Sequence, residues 1–290
     1  MTAVADTLIQ GLMLGGLYGL FAAGLSLIFG VMRLVNVAHG DFIVLAAFLS
    51  LAIQQWLGTQ SPFFIALMLV PVMFCIGYLV QRLLFNSALD GDILRPVLIT
   101  FGLSVILQNV LLQVFSADAQ RVQAGALEVA SIAVGAGLHV GVFPLLVLAV
   151  CVGVVAVLQW MLYRTGLGRA FRATSDDGTV ASMMGVNHRH LFGIATAIAF
   201  AVVALAGLLM GVRATFGASS GPEQLIFAFE AVIVGGLGSL WGTLAGGVLL
   251  GIAQSVGARI SPDLQFLAGH LTFLVVLMFR PQGLFPRVQN

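Results

Sequence analysis

RTGLGRAFRATSDDGTVASMMGVNHRH, residues 164–190, is the stretch from which this chain is best read. It holds Arg164, Arg169, Arg172, Arg189, the adjacent pair Asp176 and Asp177, and two histidines. On either side the sequence is almost continuously apolar. The whole chain has 290 residues, of which 60% are hydrophobic and only 8% charged. Soluble domains carry about 25% charged residues, so a soluble reading fails. Apolar runs of about 20 residues recur along the length, the mark of a polytopic helical membrane protein. Helices are required because each backbone N–H and C=O in lipid must be satisfied within its own segment. The short alternating strands of a membrane barrel do not occur.

Working outward from the polar island, nine apolar segments emerge: 8–32, 41–56, 62–85, 96–115, 140–163, 191–213, 225–238, 242–258 and 264–280. The fold class expected is all-α, with about eight to nine spans and one or two short or broken helices. They form a single membrane domain over 1–290 with a polar loop at about 164–190. The N-terminus MTAVADTLIQ has no positive region and carries Asp6, so it reads as the start of a first span rather than a cleaved signal. Arginine gives the orientation. With the island on the cytoplasmic side, Arg33, Arg82, Arg95, Arg164, Arg169, Arg172, Arg189, Arg280 and Arg287 all fall inside. Arg121, Arg213 and Arg259 fall outside. This threading places the N-terminus out and the C-terminus in. The largest outside loop, about 116–139, is too short to be a domain.

The chain contains no lysine; its twelve basic residues are all arginine. A phosphate-binding loop needs a lysine on the phosphates, so any ATP-driven process must draw on another polypeptide. Cys75 and Cys151 both fall in apolar spans and imply neither a disulfide nor a metal site. No catalytic residue, metal, cofactor or nucleic-acid partner is expected.

Two segments are abnormal. The 41–56 segment would span about 24 Å as a helix, against roughly 30 Å of hydrocarbon, and it follows the polar break Asn36-Val-Ala-His-Gly-Asp41. The 225–238 segment is shorter and follows Gly221-Pro222-Glu223. Short, interrupted segments in both halves point to a transport path built on broken helices, although no sequence repeat relates the halves. In the first break, Gly40 interrupts a helix and Asp41 complements the start of the next. Asn36, His39 and Asp41 there are candidates to line a path or to form a capped corner. Thr100, Ser104 and Gln108, spaced i, i+4, i+8, share one helix face, either along the path or as interhelical glue. Glu230 is the one acid well inside an apolar stretch, with no evident basic partner, and is a functional candidate by that fact. Gly15/Gly19, Gly207/Gly211, Gly242/Gly246 and Gly247/Gly251 have the spacing of close helix packing.

The island is too apolar for a plain linker. Val180, Met183 and Met184 share a helical face. Thr174, Ser175 or Asp176 is placed to cap a short helix carrying them, and Gly185 to end it. Such a helix suits a groove on a partner.

These residues resemble a known family, the membrane permeases of branched-chain amino-acid ABC importers of the LivH/LivM type. The resemblance is carried by GLMLGGLYGLFAAGLSLIFGVMRLVNVAHGDF near the N-terminus, RPVLITFGLSVILQN at 95–109 and GLGRAFRATSDDGTVASMMGV at 166–186. VGGLGSLWGTLAGGVLLGI at 234–252 and FRPQGLF at 279–285 continue it. It implies one of two permease subunits, carried by two cytoplasmic ATP-binding subunits and fed by an external solute-binding protein. It also implies a coupling loop, here Arg169, Arg172, Asp176, Asp177, Val180, Ala181, Met183, Met184 and Gly185. The family's Glu-Ala-Ala-x-x-x-Gly signature agrees at Ala181 and Gly185. The expected function is ATP-driven alternating access for branched-chain or related amino acids. The competing readings are the same machine for urea, short amides or a sugar, a stand-alone ion-coupled carrier using Glu230, and a passive channel.

Overall fold

The computed structural model describes residues 2–88, 94–135 and 138–285; Arg287 lies outside them. Thirteen α-helices are described, with one π-helical turn and one small hairpin. The helices are α1 (Thr2–Met32), α2 (His39–Leu57), α3 (Pro62–Val80, continued by the π-turn Gln81–Phe85), α4 (Asn86–Ala88), α5 (Leu94–Phe115) and α6 (Ala126–Val129). They continue as α7 (Val142–Arg164), α8 (Gly166–Asp176), α9 (Gly178–Met183), α10 (His188–Arg213), α11 (Gly221–Gly235), α12 (Leu240–Ile260) and α13 (Leu264–Phe279). Strands β1 (Ser131–Gly135) and β2 (Leu138–Gly141) pair antiparallel between α6 and α7, the one departure from an all-helical chain among the described residues.

Among the described residues, seven helices are long and apolar enough to cross a membrane: α1, α2, α3 with its π-turn, α5, α7, α10 and α12. The protein is therefore a multi-pass membrane protein. The remaining two apolar segments read from the sequence are the shorter α13, of 16 residues, and α11, of 15. Both abnormal segments start earlier than expected, α2 at His39 and α11 at Gly221.

Residues without side chains let these helices touch. A methyl group added at Gly15 would fall 2.3 Å from the Val248 Cα, so α12 lies backbone to backbone on α1. The opposite face of α12 meets α11, where a methyl at Gly246 would fall 2.2 Å from the Ala231 oxygen. Between apolar helices in lipid, close van der Waals packing replaces the hydrophobic drive that assembles a soluble core.

α1 and α10 form the centre. α12 packs on α1, while α3 packs on α10 through Gly77 against Phe200 and Gly193 against Tyr78. α2 lies on α10, where a methyl at Gly207 would fall 2.3 Å from the Ile43 oxygen. α11 lies on α1, where the Phe227 and Tyr18 rings stack at 4.8 Å. Counted by crossings, α1 and α10 run in opposite senses. The helices α1–α2–α3–α5 and α10–α11–α12–α13 thus form two halves of opposite direction, with α5 resting on α2 and α13 chiefly on α12. That relation is invisible in the sequence, because the packing is specified by close backbone contact and not by matching side chains.

Candidate functional site

The first site begins where α1 stops. Arg33 takes a left-handed backbone (φ 53), a conformation costly for a residue with a Cβ. The chain then turns back into the bundle, and Leu34, Asn36 and Ala38 are buried. A buried irregular segment must find partners for its backbone. The Asn36 side-chain oxygen accepts from the Ala38 N–H at 3.1 Å. The Val37 N–H donates to Thr100 Oγ1 of α5 at 3.2 Å, and Thr100 in turn donates to the Pro96 carbonyl at 2.8 Å. His39, fully buried, places Nε2 2.8 Å from the Phe21 carbonyl in the middle of α1. Since a carbonyl only accepts, Nε2 carries the proton, and Nδ1 has no partner.

Beyond the corner, Asp41 is buried in the first turn of α2. Gln108 of α5 donates to its Oδ1 at 2.9 Å and also approaches Ser104 Oγ at 3.2 Å. The Thr100, Ser104 and Gln108 stripe therefore faces α2. On its other side, Asp41 meets the start of α11, where a methyl at Gly221 would fall 2.0 Å from Asp41 Oδ1. A methyl at Gly40 would fall 2.0 Å from the Gly221 oxygen. The N-termini of two broken helices thus meet inside the bundle. Helix N-termini carry positive partial charge, and the Asp41 carboxyl group lies between two of them.

Glu230 belongs to a second cluster, farther along α11. Its Oε1 lies 2.5 Å from His270 Nδ1 on α13. The expectation of an acid without a basic partner is thereby corrected. The Glu230 side chain is 7% exposed and that of His270 is 41% exposed, while Glu230 Oε2 has no partner. Phe227 stacks on the His270 ring at 6.2 Å and on Tyr18, whose hydroxyl donates to Gln254 at 2.6 Å. His270 was not among the residues singled out from the sequence. The signal available there was one histidine inside the apolar run 264–280.

The polar island folds as two helices instead of one. Thr165 caps α8, accepting from the Gly168 N–H at 3.2 Å. Along α8, Phe171 and Thr174 are buried, and Ser175 Oγ donates to the Gly30 carbonyl of α1 at 2.9 Å. Arg172 donates to the Leu162 carbonyl at 2.7 Å, with its guanidinium 5.0 Å from the Tyr163 ring centre. Thr174 and Ser175 thus lie within α8 and Asp176 is its last residue, so none of the three stands at the start of α9. The capping role falls to Asp177, which leaves helical geometry and accepts from the Val180 N–H at 3.0 Å to start α9. Gly185, with φ 85, closes α9, and the Val186 N–H returns to the Ala181 carbonyl at 3.1 Å. Ala181 is buried, while Val180, Met183 and Met184 are 55%, 80% and 81% exposed. Arg169 and Asp176 are exposed on α8.

Eight of the nine arginines assigned to one side by the threading are within the described residues, and all eight sit at the island end of the helices. Arg121, Arg213 and Arg259 sit at the other end. There Gln120 bridges Phe216, and the Arg121–Glu128 ion pair closes at 2.9 Å.

Residues 7–279 match the family model described as "Branched-chain amino acid transport system / permease component". The chain is 28% identical to the high-affinity branched-chain amino acid transport system permease protein BraD of Pseudomonas aeruginosa, over 97% of this chain and 95% of that one. It is 26% identical to the corresponding LivH protein of Escherichia coli, over 96% and 94%. Among solved structures, PsaBC from Streptococcus pneumoniae in complex with Fab aligns at 14% identity and a TM-score of 0.48, covering 94% of this chain and 91% of that one. The chain belongs to the family of branched-chain amino-acid transport permease components.

Proposed function

We propose that this member of the family is the membrane permease of an ATP-driven importer that passes branched-chain or related amino acids. The observation that carries the reading is a family match running from α1 to the end of α13. In this reading the island end is cytoplasmic, the N-terminus is outside and the C-terminus inside. Two separate ATP-binding subunits dock on the α8–α9 pair, a second related permease completes the path, and an external solute-binding protein delivers substrate.

The geometry supports a route for coupling. Exposed Val180, Met183 and Met184 offer an apolar face to the ATPase, with Arg169, Arg172, Asp176, Asp177 and Gly185 around it. Motion imposed there reaches α1 through Ser175 and Gly30. The end of α1 leads into the buried corner at 34–38 and so to the meeting of α2 with α11. Two packings of such a junction, exchanged by ATP binding and release, give alternating access. Asn36, His39, Asp41, Thr100, Ser104 and Gln108 lie at that junction, and Glu230 lies beside α13.

The test is reconstitution of the chain in vesicles with its ATPases, its second permease and the binding protein, followed by leucine uptake. Uptake requiring both ATP and the binding protein is expected. Uptake by the isolated chain without ATP would overturn the reading, and competition by urea, short amides or a sugar instead of leucine would redirect the substrate class.

A further inference from the structure

A cavity of about 670 Å³ opens at the island end of the molecule, apart from both clusters described above. It is walled by the last turns of α1 and α7, by α8, by the start of α12 and by residues 284–285. This volume lies within the range of about 300–1,000 Å³ typical of small-molecule sites. Its lining is amphipathic. Leu27, Val31, Leu162 and Leu240 make the apolar part. Arg172 supplies a guanidinium to the wall. Ser239, the N-cap of the 21-residue α12, brings a helix N-terminus to the same wall.

One further observation indicates that this space receives a polar ligand group. Ser26 lines the cavity, is 1% exposed, and has a hydroxyl without any hydrogen-bond partner. A buried orphan hydroxyl is uncommon in a folded protein. The rim adds the second half of the argument. Tyr163 and Trp241 line the cavity yet are 56% and 47% exposed, and Phe285 beside them is 55% exposed. Tyrosine and tryptophan so placed at a helix end mark the level of lipid headgroups. The cavity therefore has a cationic, hydrogen-bonding part near the headgroup level and an apolar part among the helix ends.

We infer that this cavity is a binding site for an anionic phospholipid of the leaflet at the island end, with the phosphate on Arg172 and the α12 N-terminus and an acyl chain along Leu27, Val31 and Leu240. Basic recesses between membrane helices are the kind of site that takes such headgroups. The lipid would lie between α8 and the helices that α8 holds. The inference does not depend on which solute the protein carries.

The test uses the purified full chain, stripped of lipid in detergent. Binding of dioleoyl phosphatidylglycerol, dioleoyl phosphatidylcholine and inorganic phosphate is compared by native mass spectrometry and by thermal stabilisation. Preferential binding of phosphatidylglycerol is expected. Arg172→Gln should weaken it about fivefold, the worth of one basic residue near a lipid surface. Because Arg172 also holds the Leu162 carbonyl, a second variant, Ser26→Leu, fills the cavity and leaves the cation in place; it should lower the same binding. Equal binding of the two lipids, or full stabilisation by inorganic phosphate alone, would overturn the inference, as would an undiminished phosphatidylglycerol preference in Ser26→Leu.

Discussion

Gly40→Ala is the sharpest test of the junction between α2 and α11. The added methyl would lie 2.0 Å from the Gly221 oxygen, 2.8 Å from the Leu225 nitrogen and 2.9 Å from the Gly221 carbonyl carbon. All three are backbone atoms, so no rotamer change relieves the overlap. Restoring ordinary contact at 3.4 Å requires the two helices to part by about 1.4 Å. α2 is also seated on α10, where a methyl at Gly207 would fall 2.3 Å from the Ile43 oxygen, so a shift away from α11 disturbs that contact as well. Overpacking in a closed core costs about 1–3 kcal/mol, and a clash confined to backbone belongs at the upper end. A loss of about 3 kcal/mol lowers the midpoint of thermal unfolding on the order of 6–12 °C.

Gly102→Ala and Gly153→Ala are the matched controls. Both lie inside helices, and a methyl at either meets nothing within 4 Å. Each should gain up to about 1 kcal/mol in helix propensity. The same chemical change is thus expected to have opposite signs at Gly40 and at Gly102. The assay is thermal unfolding of the purified variants in one detergent, followed by uptake in reconstituted vesicles. Gly40→Ala should be less stable than the parent and defective in uptake, while the controls unfold at or above the parent midpoint. A Gly40→Ala protein as stable and as active as Gly102→Ala would refute the close meeting of the two helix starts.

Other expectations follow from the same contacts. Thr100→Val leaves the Val37 N–H without its acceptor; an unsatisfied buried donor costs about 1–3 kcal/mol, measurable by thermal unfolding, and Thr100→Ser should restore most of it. Met183→Asp places a charge on an 80% exposed side chain; it should leave membrane insertion unchanged and reduce co-purification of the ATP-binding subunits at least severalfold. Glu230→Gln removes the carboxyl group paired with His270; uptake should still require ATP, and a proton gradient that drives uptake without ATP in the parent but not in the variant would favour an ion-coupled carrier.

Much of the fold was legible because lipid leaves so few alternatives. Apolar runs had to be helices, and arginines had to collect at one end. The Thr100, Ser104 and Gln108 stripe was legible because i, i+4 spacing depends only on helix geometry. Its partner Asp41 was legible as a candidate but not as the partner, since 67 residues separate Gln108 from it. The Glu230–His270 pair was hidden for the same reason. The cap of α9 was misplaced because Phe171 and Thr174 are buried against neighbouring helices and extend α8 to Asp176. Local capping preference favoured Thr174, Ser175 or Asp176, and tertiary packing moved the break to Asp177.

The two acid clusters explain why broken helices are compatible with a firm scaffold. Asp41 fastens α2 to α5 through Gln108, and Glu230 fastens α11 to α13 through His270. Each broken helix is therefore tied by side chains to the last helix of its own half. Between the halves, α2 and α11 meet through Gly40 and Gly221, backbone against backbone. Hydrogen-bonded side chains resist displacement, because parting them in an apolar medium leaves polar groups unpaired. A glycine contact resists it much less, since it consists of weak dispersion contacts that re-form after a small shift. Displacement is thus cheaper at the Gly40–Gly221 contact than at the Gln108–Asp41 and Glu230–His270 pairs, while elsewhere the halves are interlocked, α12 on α1 through Tyr18–Gln254 and the π-turn of α3 on α10 through Gln81–Thr196.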